Sequence, residues 1–474
     1  MEKPVFLKNI KRVHFTGIKG VGMIALACCL QDIGIKISGS DVEEKFVTDE
    51  VLKKRKISWK IGFKEENLKP KPDLLITTGA HGGLNNPEVI IAKKLKISVL
   101  THAEALGKLM ESKLGISVCG VGGKTTTSSI IANILSFGKR KPSYAIGVAG
   151  IKPLGFPGKW DEGKEFVVEA DEYANSPGVD NRPRFIFQNP KIIVVTNIEY
   201  DHPDIYPNFE KTKEAFASFF EKIPKDGLLL ACADNPNTLV VAKKFKPVLQ
   251  TYGFSPQADW RIENFTLRNG ETFFDLSFKG ILFRGIKIKI PGRFNILNSA
   301  AGFAVGIFLG MRENEIKVGL KNFRGTKRRF EFIGERRGVM VYDDYAHHPS
   351  EIKQVIDTAK KWFPQKRIIT VFQPHTYSRT KALLKEFGRC FNGAGLVIIS
   401  EIYASAREKD NLGITGKILA QEVAKNHPAV FFRPGLPEVI ELLKKEVKKD
   451  DIIFTLGAGS IFSWGKNILK SLNS

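Results

Sequence analysis

The sequence predicts an α/β protein of three domains, and three observations carry that prediction. Short apolar strands alternate with helical stretches, and the pattern starts afresh at Arg12–Thr16, at 115–119 and at 339–342. A glycine-rich turn follows the strand at the first two of these starts. A chain of 474 residues with 43% apolar content is also too long for one ordinary core.

In the first domain, strand Arg12–Thr16 runs into Gly17-Ile-Lys-Gly20-Val-Gly22-Met23 and an apolar helix reaching Asp32. A second strand at 35–38 stops at Gly39-Ser40-Asp41. Glycines let a phosphate approach the backbone and a helix start supplies N–H donors, so this is the front half of a nucleotide-binding β-α-β unit. The spacing departs from the usual dinucleotide fingerprint, and Asp41 also suits a helix cap. Further strands are expected at 73–77 and 97–101, with His81 and His102 at their ends, and the domain ends near residue 110. His14 either touches the first pocket or packs in the core.

The second domain opens with a strand at 115–119, the loop Gly120-Val-Gly-Gly-Lys124-Thr125 and an apolar helix through 130–135. Strands follow at 165–168, 191–196 and 227–231. From 262 to 290, Phe, Ile and Leu alternate with polar residues around turns such as Asn269-Gly270, which predicts an antiparallel section attached to the parallel core. Pro291-Gly292 leads into a long helix at 295–310, and a connection at 323–330 precedes the third domain. There, strands at 339–342, 367–372, 396–400, 429–432 and 452–455 are separated by helical stretches.

Lys and Arg number 73 against 50 Asp and Glu, a formal charge of +23 that attracts anionic partners, nucleotides among them. These charges are spread over helices and turns without a basic tail or an aromatic-interleaved stripe, so no nucleic-acid binding is expected. Cys28, Cys29, Cys119, Cys232 and Cys390 show neither metal spacing nor a paired framework, which predicts reduced, packed thiols. The most apolar long segment, 296–310, contains Asn298 and Ser299 and is shorter than the roughly 20 residues that span a bilayer. A cytoplasmic protein without stable membrane insertion is the expectation.

The strongest chemical signal is the strand, glycine turn and helix around Lys124. Backbone N–H groups there cradle phosphate oxygens, Lys124 neutralises their charge, and the Thr125 hydroxyl suits Mg²⁺. Two polar clusters end the next strands: Glu169-Ala-Asp-Glu172 and Thr196-Asn-Ile-Glu-Tyr-Asp-His202. Their carboxylates and imidazole suit one or two magnesium ions opposite the phosphates. His347, His348 and His375 follow strands of the third domain.

These motifs, together with His14-Phe-Thr-Gly-Ile-Lys-Gly-Val-Gly-Met23, Gly292-Arg-Phe-Asn295 with Asn298, Arg328-Arg-Phe330, Asp343-Asp-Tyr-Ala-His-His-Pro349 and Phe372-Gln-Pro-His-Thr-Tyr-Ser-Arg-Thr380, resemble the Mur ligases of peptidoglycan synthesis in family order along the whole chain. The resemblance implies a Rossmann-like N-terminal domain for a UDP-sugar (1–110), a central P-loop ATPase domain with a mixed sheet (111–325) and a Rossmann-like C-terminal domain for the incoming amine (326–474). It implies an ATP- and Mg²⁺-dependent enzyme, monomer or homodimer, that joins L-alanine to the lactyl carboxylate of UDP-N-acetylmuramate through an acyl phosphate. The stretch 172–184 also resembles the recycling branch that attaches a tripeptide to the same sugar nucleotide, which leaves that acceptor as the alternative. A dehydrogenase leaves Lys124-Thr125 and the downstream acidic clusters without a task, and a non-ligase nucleotide-binding protein, marked by nucleotide binding without substrate-dependent ADP release, is the further alternative.

By the same resemblance, Gly120, Gly122, Gly123, Lys124, Thr125 and Thr126 hold ATP phosphates, Thr125 and Glu169 hold one Mg²⁺, and His202 helps to hold a second. Asn298 bonds adenine, while Arg329 and Asp344 reach the nucleotide from the third domain. His347, His348, His375 and Arg379 lie where the amino acid enters, with His347 or His348 handling the amine proton. Gly17, Gly20, Gly22, Ser40 and Asp41 meet the uridine diphosphate end of the sugar substrate. The family's Thr and His are Val121 and Gly122 here, its usual His is Phe294, and its usual Arg is Thr376. Closure of the domains is expected to assemble the site.

Overall fold

The computed structural model describes residues 3–268, 271–404, 408 and 410–472; the expected turn at Asn269-Gly270 lies outside them. In the first part of the chain, β1 (Arg12–Thr16), α1 (Val21–Asp32), β2 (Lys36–Asp41), α2 (Asp49–Lys54), β3 (Ser58–Ile61), β4 (Leu74–Thr77), α3 (Pro87–Lys94), β5 (Ser98–Thr101) and α4 (His102–Met110) follow one another. The strands form a parallel sheet of order β3-β2-β1-β4-β5. Strand β2 extends past its expected end because Ser40 and Asp41 pair with Lys60 and Ile61 of β3, a short, largely exposed strand that carries little apolar signal.

The next part contains β6 (Leu114–Cys119), α5 (Lys124–Phe137), β7 (Ser143–Ala145), β8 (Gly158–Lys159), β9 (Glu165–Glu169), the hairpin β10 (Ala174–Ser176) and β11 (Asp180–Pro183), β12 (Ile192–Val195), α6 (Phe209–Phe220), β13 (Leu228–Cys232), α7 (Pro236–Ala242) and β14 (Leu249–Gly253). It continues with β15 (Trp260–Arg268), β16 (Glu271–Phe278), β17 (Ile281–Ile288), α8 (Arg293–Phe308) and α9 (Glu313–Asn322). The main sheet has the order β17-β16-β15-β14-β13-β12-β6-β9-β7-β8. Strands β12, β6 and β9 are parallel and buried, as their unbroken apolar runs require, whereas β15, β16 and β17 pair antiparallel and β16 alternates buried with part-buried residues. Helix α5 lies against α9 so closely that a Cβ on Gly319 would stand 2.6 Å from Ile134 Cα, and Asn133 donates to Gly319 O at 2.7 Å.

One apolar cluster joins the first two sheets. Leu26, Cys28 and Cys29 of α1 pack with Ala145, Phe166 and Val168, while Cys29 Sγ donates to Tyr144 O and Trp160 N donates to Asp32. Both sheets consequently belong to one compact unit, which runs to Ile290 and again from Phe294 to Thr326. All five cysteines are free and buried. Among the described residues, no helix is long and apolar enough to cross a membrane.

The second unit comprises Pro291–Arg293 and Lys327–Ser474. Its elements include β18 (Glu331–Arg336), β19 (Val339–Asp344), α10 (Pro349–Trp362), β20 (Ile368–Phe372), β21 (Leu396–Ile399), β22 (Val430–Phe432) and β23 (Ile452–Leu456). The sheet order is β18-β19-β23-β20-β21-β22, parallel except for the β18–β19 edge pair. The polar, part-exposed β18 follows the expected connection at 323–330, in a stretch before 339 where no strand was expected.

Candidate functional site

The chain leaves β6 at Cys119 and turns at Gly120, whose φ is +124°. A Cβ there would stand 2.2 Å from Thr196 Oγ1 and 2.7 Å from Asn197 O, so the close approach of the two strand ends requires glycine. Thr196 Oγ1 donates to Gly122 O at 2.5 Å, and Gly122 N donates to Asn197 Oδ1 at 2.9 Å. The end of β12 thus braces the loop that follows β6. Gly123, at φ +87°, is the N-cap of α5, and no side chain caps the helix. The first turn of a 14-residue helix therefore points uncapped N–H donors at the loop, with Lys124, Thr125 and Thr126 as its opening residues.

Lys124 Nζ donates to Gly120 O at 2.6 Å and reaches Glu172 Oε2 at 2.9 Å and Oε1 at 3.1 Å. Burial opposes the lysine charge, but Glu172 and Asp171 outweigh it and hold the ammonium protonated well above the usual range. His202 Nε2 stands 3.9 Å from Glu172 Oε1, and its ring packs on Tyr173 at 4.6 Å between centroids. Two residues singled out from the sequence, Lys124 and His202, thus meet at Glu172. Glu169 contributes to the field at Lys124, and its Oε1 accepts from Gly147 N at 2.8 Å. Asp171 pairs with Arg184 at 2.7 Å. His202 adopts φ +58°, a left-handed conformation that a non-glycine residue occupies only when its surroundings enforce it.

Asn298 lies beneath this helix start. Its Oδ1 accepts from Thr127 Oγ1 at 3.0 Å and its amide donates to Asn295 Oδ1 at 3.1 Å, so it ties α5 to α8. Among the described residues, no three His, Cys, Asp or Glu side chains are grouped to hold a metal ion. The donor set still suits magnesium, which takes one or two oxygen ligands from protein and the rest from phosphates and water.

In the first sheet, Gly17 N donates to Ser40 O at 2.9 Å, and the buried Asp41 carboxylate accepts from Lys19 N at 2.7 Å and from Val42 N at 2.8 Å. Ser40 and Asp41 therefore hold the glycine turn in shape. Gly20 begins α1 without a side-chain cap, and a Cβ on Gly22 would meet His102 Nε2 at 3.0 Å. Burial, aided by Arg184, pushes the His102 imidazole down to about 4. His14 is a core residue, with Nδ1 3.0 Å from Ser38 Oγ and Nε2 3.4 Å from Glu88. Glu88, which sequence reasoning missed, accepts from the hydroxyls of Thr16 at 2.7 Å and Ser40 at 2.5 Å and from Asn67 Nδ2 at 2.6 Å. A carboxylate beside an apolar run just after Asn86-Pro87 was its only signal.

In the second unit, Asp344 accepts from Phe330 N at 2.7 Å and Ala346 N at 2.8 Å, and burial raises its carboxyl to about 6 despite Arg329. His347 and His375 meet edge to face with centroids 5.9 Å apart, His375 stacks on Tyr403, and Arg379 Nη1 lies 3.4 Å from His375 Nδ1. His348 instead caps α10, its Nδ1 2.8 Å from Ser350 Oγ. Glu351 collects the backbone N–H of His347 at 3.2 Å, His347 Nδ1 at 3.5 Å and Arg329 Nη1 at 3.6 Å. Sequence reasoning missed Glu351, whose one available signal was its capping-box spacing after His348. Each unit thus gathers its own predicted residues: Lys124 and His202 in the first, and Arg329, His347, His375 and Arg379 in the second.

Comparison with known families places a Mur ligase family catalytic domain at residues 12–114, a Mur ligase middle domain at 118–306 and a Mur ligase glutamate ligase domain at 328–459. The chain belongs to the Mur ligase family. It is 37% identical over 468 residues to the UDP-N-acetylmuramate–L-alanine ligase of Trichlorobacter lovleyi, covering 98% of this chain and 99% of that one. It is 38% identical over 465 residues to the enzyme of the same name from Geotalea daltonii, with 98% of both chains covered. Among solved structures, the UDP-N-acetylmuramate-alanine ligase of Thermotoga maritima superimposes with a TM-score of 0.82 at 25% identity, covering 98% of this chain and 99% of that one. A murein peptide ligase from Psychrobacter arcticus shares the Mur ligase fold, with a TM-score of 0.73 at 20% identity over 98% of this chain and 99% of that one. The three-domain α/β architecture expected from the sequence, two Rossmann-like ends flanking a mixed central sheet, is that of the family.

Proposed function

We propose that this Mur ligase joins L-alanine to the lactyl carboxylate of UDP-N-acetylmuramate at the expense of ATP, in the cytoplasmic synthesis of peptidoglycan precursors. The observation that carries the reading is the length of the likeness: the alanine ligase of T. lovleyi matches 98% of this chain at 37% identity, and this chain covers 99% of that enzyme. The division into 1–110, 111–325 and 326–474 assigns the sugar nucleotide, ATP and the amino acid to successive domains.

A carboxylate resists attack by an amine because its carbon is electron-rich and oxide does not leave. Transfer of the ATP γ-phosphoryl group to a lactyl oxygen makes an acyl phosphate and releases ADP. The amine of alanine then attacks the acyl carbon, and the tetrahedral intermediate collapses to an amide as phosphate departs. The uncapped N–H groups at the start of α5 and the loop from Gly120 to Gly123 fit the nucleotide phosphates, and the ammonium of Lys124 neutralises the charge of the transferring group. Magnesium, held by Thr125 and Glu169 with a second ion near His202, would supply further neutralisation of the phosphate oxygens. Asn298, which ties α5 to α8, is assigned to the adenine, and Arg329 and Asp344 are assigned to the nucleotide on the family resemblance of their motifs.

Gly17, Gly20 and Gly22, held in shape by Ser40 and Asp41, bind the uridine diphosphate end. Arg379 pairs with the alanine carboxylate beside His375. Tyr345 O lies 3.0 Å from His347 Nδ1 and fixes the proton there, which makes Nε2 the basic atom that takes a proton from the amine. His348, whose Nδ1 caps α10, leaves its Nε2 as the alternative base.

Phosphate release with ATP, Mg²⁺ and UDP-N-acetylmuramate, with L-alanine, glycine, L-serine and the murein tripeptide supplied singly, tests the reading. L-Alanine should give the highest kcat/KM. Preference for the tripeptide would replace the acceptor while keeping the ligase chemistry, and turnover retained by K124A would remove the phosphate role of the lysine.

A further inference from the structure

We propose that Glu172 parks the ammonium of Lys124 in the nucleotide-free protein and yields it to the nucleotide phosphates when a divalent cation arrives with them. The inference rests on the ATP-dependent reading above and extends it to the way the phosphate site loads. An ammonium has three N–H donors and no acceptor. Lys124 Nζ has three acceptors within hydrogen-bond distance: Gly120 O at 2.6 Å, Glu172 Oε2 at 2.9 Å and Glu172 Oε1 at 3.1 Å. The carboxylate holds Lys124 through both of its oxygens, so an incoming phosphate oxygen competes with Glu172 for the ammonium.

The displaced carboxylate has nowhere to go. Its side chain is 3% exposed, and the hydroxyl of Tyr206 donates to the Glu172 carbonyl at 2.6 Å, fixing the backbone. Its other charged or titratable neighbours include the buried thiol of Cys119, the phenol of Tyr206, His202, 3.9 Å from Oε1, and Asp171, which is like-charged and already paired with Arg184. A buried carboxylate stripped of its cation while a polyphosphate approaches is strongly disfavoured. Positive charge entering with the nucleotide relieves that cost. Nucleotide and cation therefore bind cooperatively through Glu172, and each strengthens the binding of the other.

Calorimetric titration of the full-length chain with ATP, in chelator and in Mg²⁺, tests this with Glu172→Gln. The neutral amide gives up Lys124 more readily and does not repel phosphate, so the variant should bind metal-free ATP at least about fivefold more tightly than the parent. The gain in affinity that magnesium brings should shrink accordingly. Glu172→Asp, which draws the charge back by one methylene, should move the same way by less, and it decides the matter if the glutamine variant does not fold. A purely structural role would weaken binding with and without metal alike. Metal-free binding that is unchanged or weaker in the folded variants overturns the proposal alone, whereas a parent chain that binds no ATP in either condition overturns the functional reading as well.

Discussion

Replacing Asp344 by asparagine isolates one buried charge at the end of β19. The carboxyl of Asp344 is 5% exposed and titrates near 6 rather than at the ordinary 3.8, because burial outweighs the help of Arg329 and the N–H groups of Phe330 and Ala346. A folded value above the unfolded one means that the folded chain holds this proton more tightly. Its contribution to stability is fully present below pH 3.8 and is lost as pH rises through about 6. The gap is worth about 3 kcal/mol, at roughly 1.4 kcal/mol per pH unit. Asparagine does not titrate and offers one acceptor oxygen for two backbone donors, a loss of about 1–3 kcal/mol at every pH. The advantage of the parent over D344N should therefore be largest near pH 4 and shrink by about 3 kcal/mol by pH 7.5. Hydrogen exchange in urea, read by mass spectrometry on peptides covering β19 and β23, follows the unfolding of this unit without assuming that a multidomain chain unfolds in one step. A stability difference that stays flat from pH 4 to 7.5 would refute the reasoning.

Three further outcomes are expected. Gly120→Ala places a methyl group 2.2 Å from Thr196 Oγ1 and 2.7 Å from a backbone oxygen, so the loop has to open; ATP affinity measured by titration should fall about tenfold or more, and an affinity equal to the parent's would show that the brace from β12 is dispensable. The imidazole of His102 should remain neutral down to about pH 4, giving no titration between pH 5 and 8 in NMR spectra of ring-labelled protein; since its folded value lies below the unfolded 6.5, it costs stability as pH falls from there towards 4. Glu351→Gln removes the charge that His347 and Arg329 share, and should lower kcat/KM for L-alanine about tenfold while thermal unfolding shifts little; an unchanged value would assign Glu351 to the helix cap alone.

The fold was legible where burial writes an unbroken apolar run. Strands β6, β12 and β13 are buried on both faces and were found from composition alone. Strands β3, β11 and β18, exposed or polar, pair through backbone hydrogen bonds that no side-chain pattern announces. In the site, Lys124 was legible because the helix it opens and the glycines before it follow from local chemistry. Glu88 and Glu351 were not, because they act on partners 72 and 22 positions away, at Thr16 and Arg329; Glu172 was named within its acidic cluster, but its pairing with Lys124, 48 positions back, was not foreseen. Ser40, Asp41 and His348 were picked out as ligand contacts; in the structure Ser40 Oγ bonds Glu88, the Asp41 carboxylate accepts from Lys19 N, and His348 Nδ1 bonds Ser350, which shapes the loops around them.

The central claim is that the carboxylate is activated by phosphorylation before the amine attacks. UDP-N-acetylmuramate labelled with ¹⁸O in both lactyl carboxylate oxygens, turned over with ATP, Mg²⁺ and L-alanine, measures this directly by mass spectrometry of the released phosphate. The account predicts one labelled oxygen in each phosphate and one retained in the new amide. Unlabelled phosphate would contradict it.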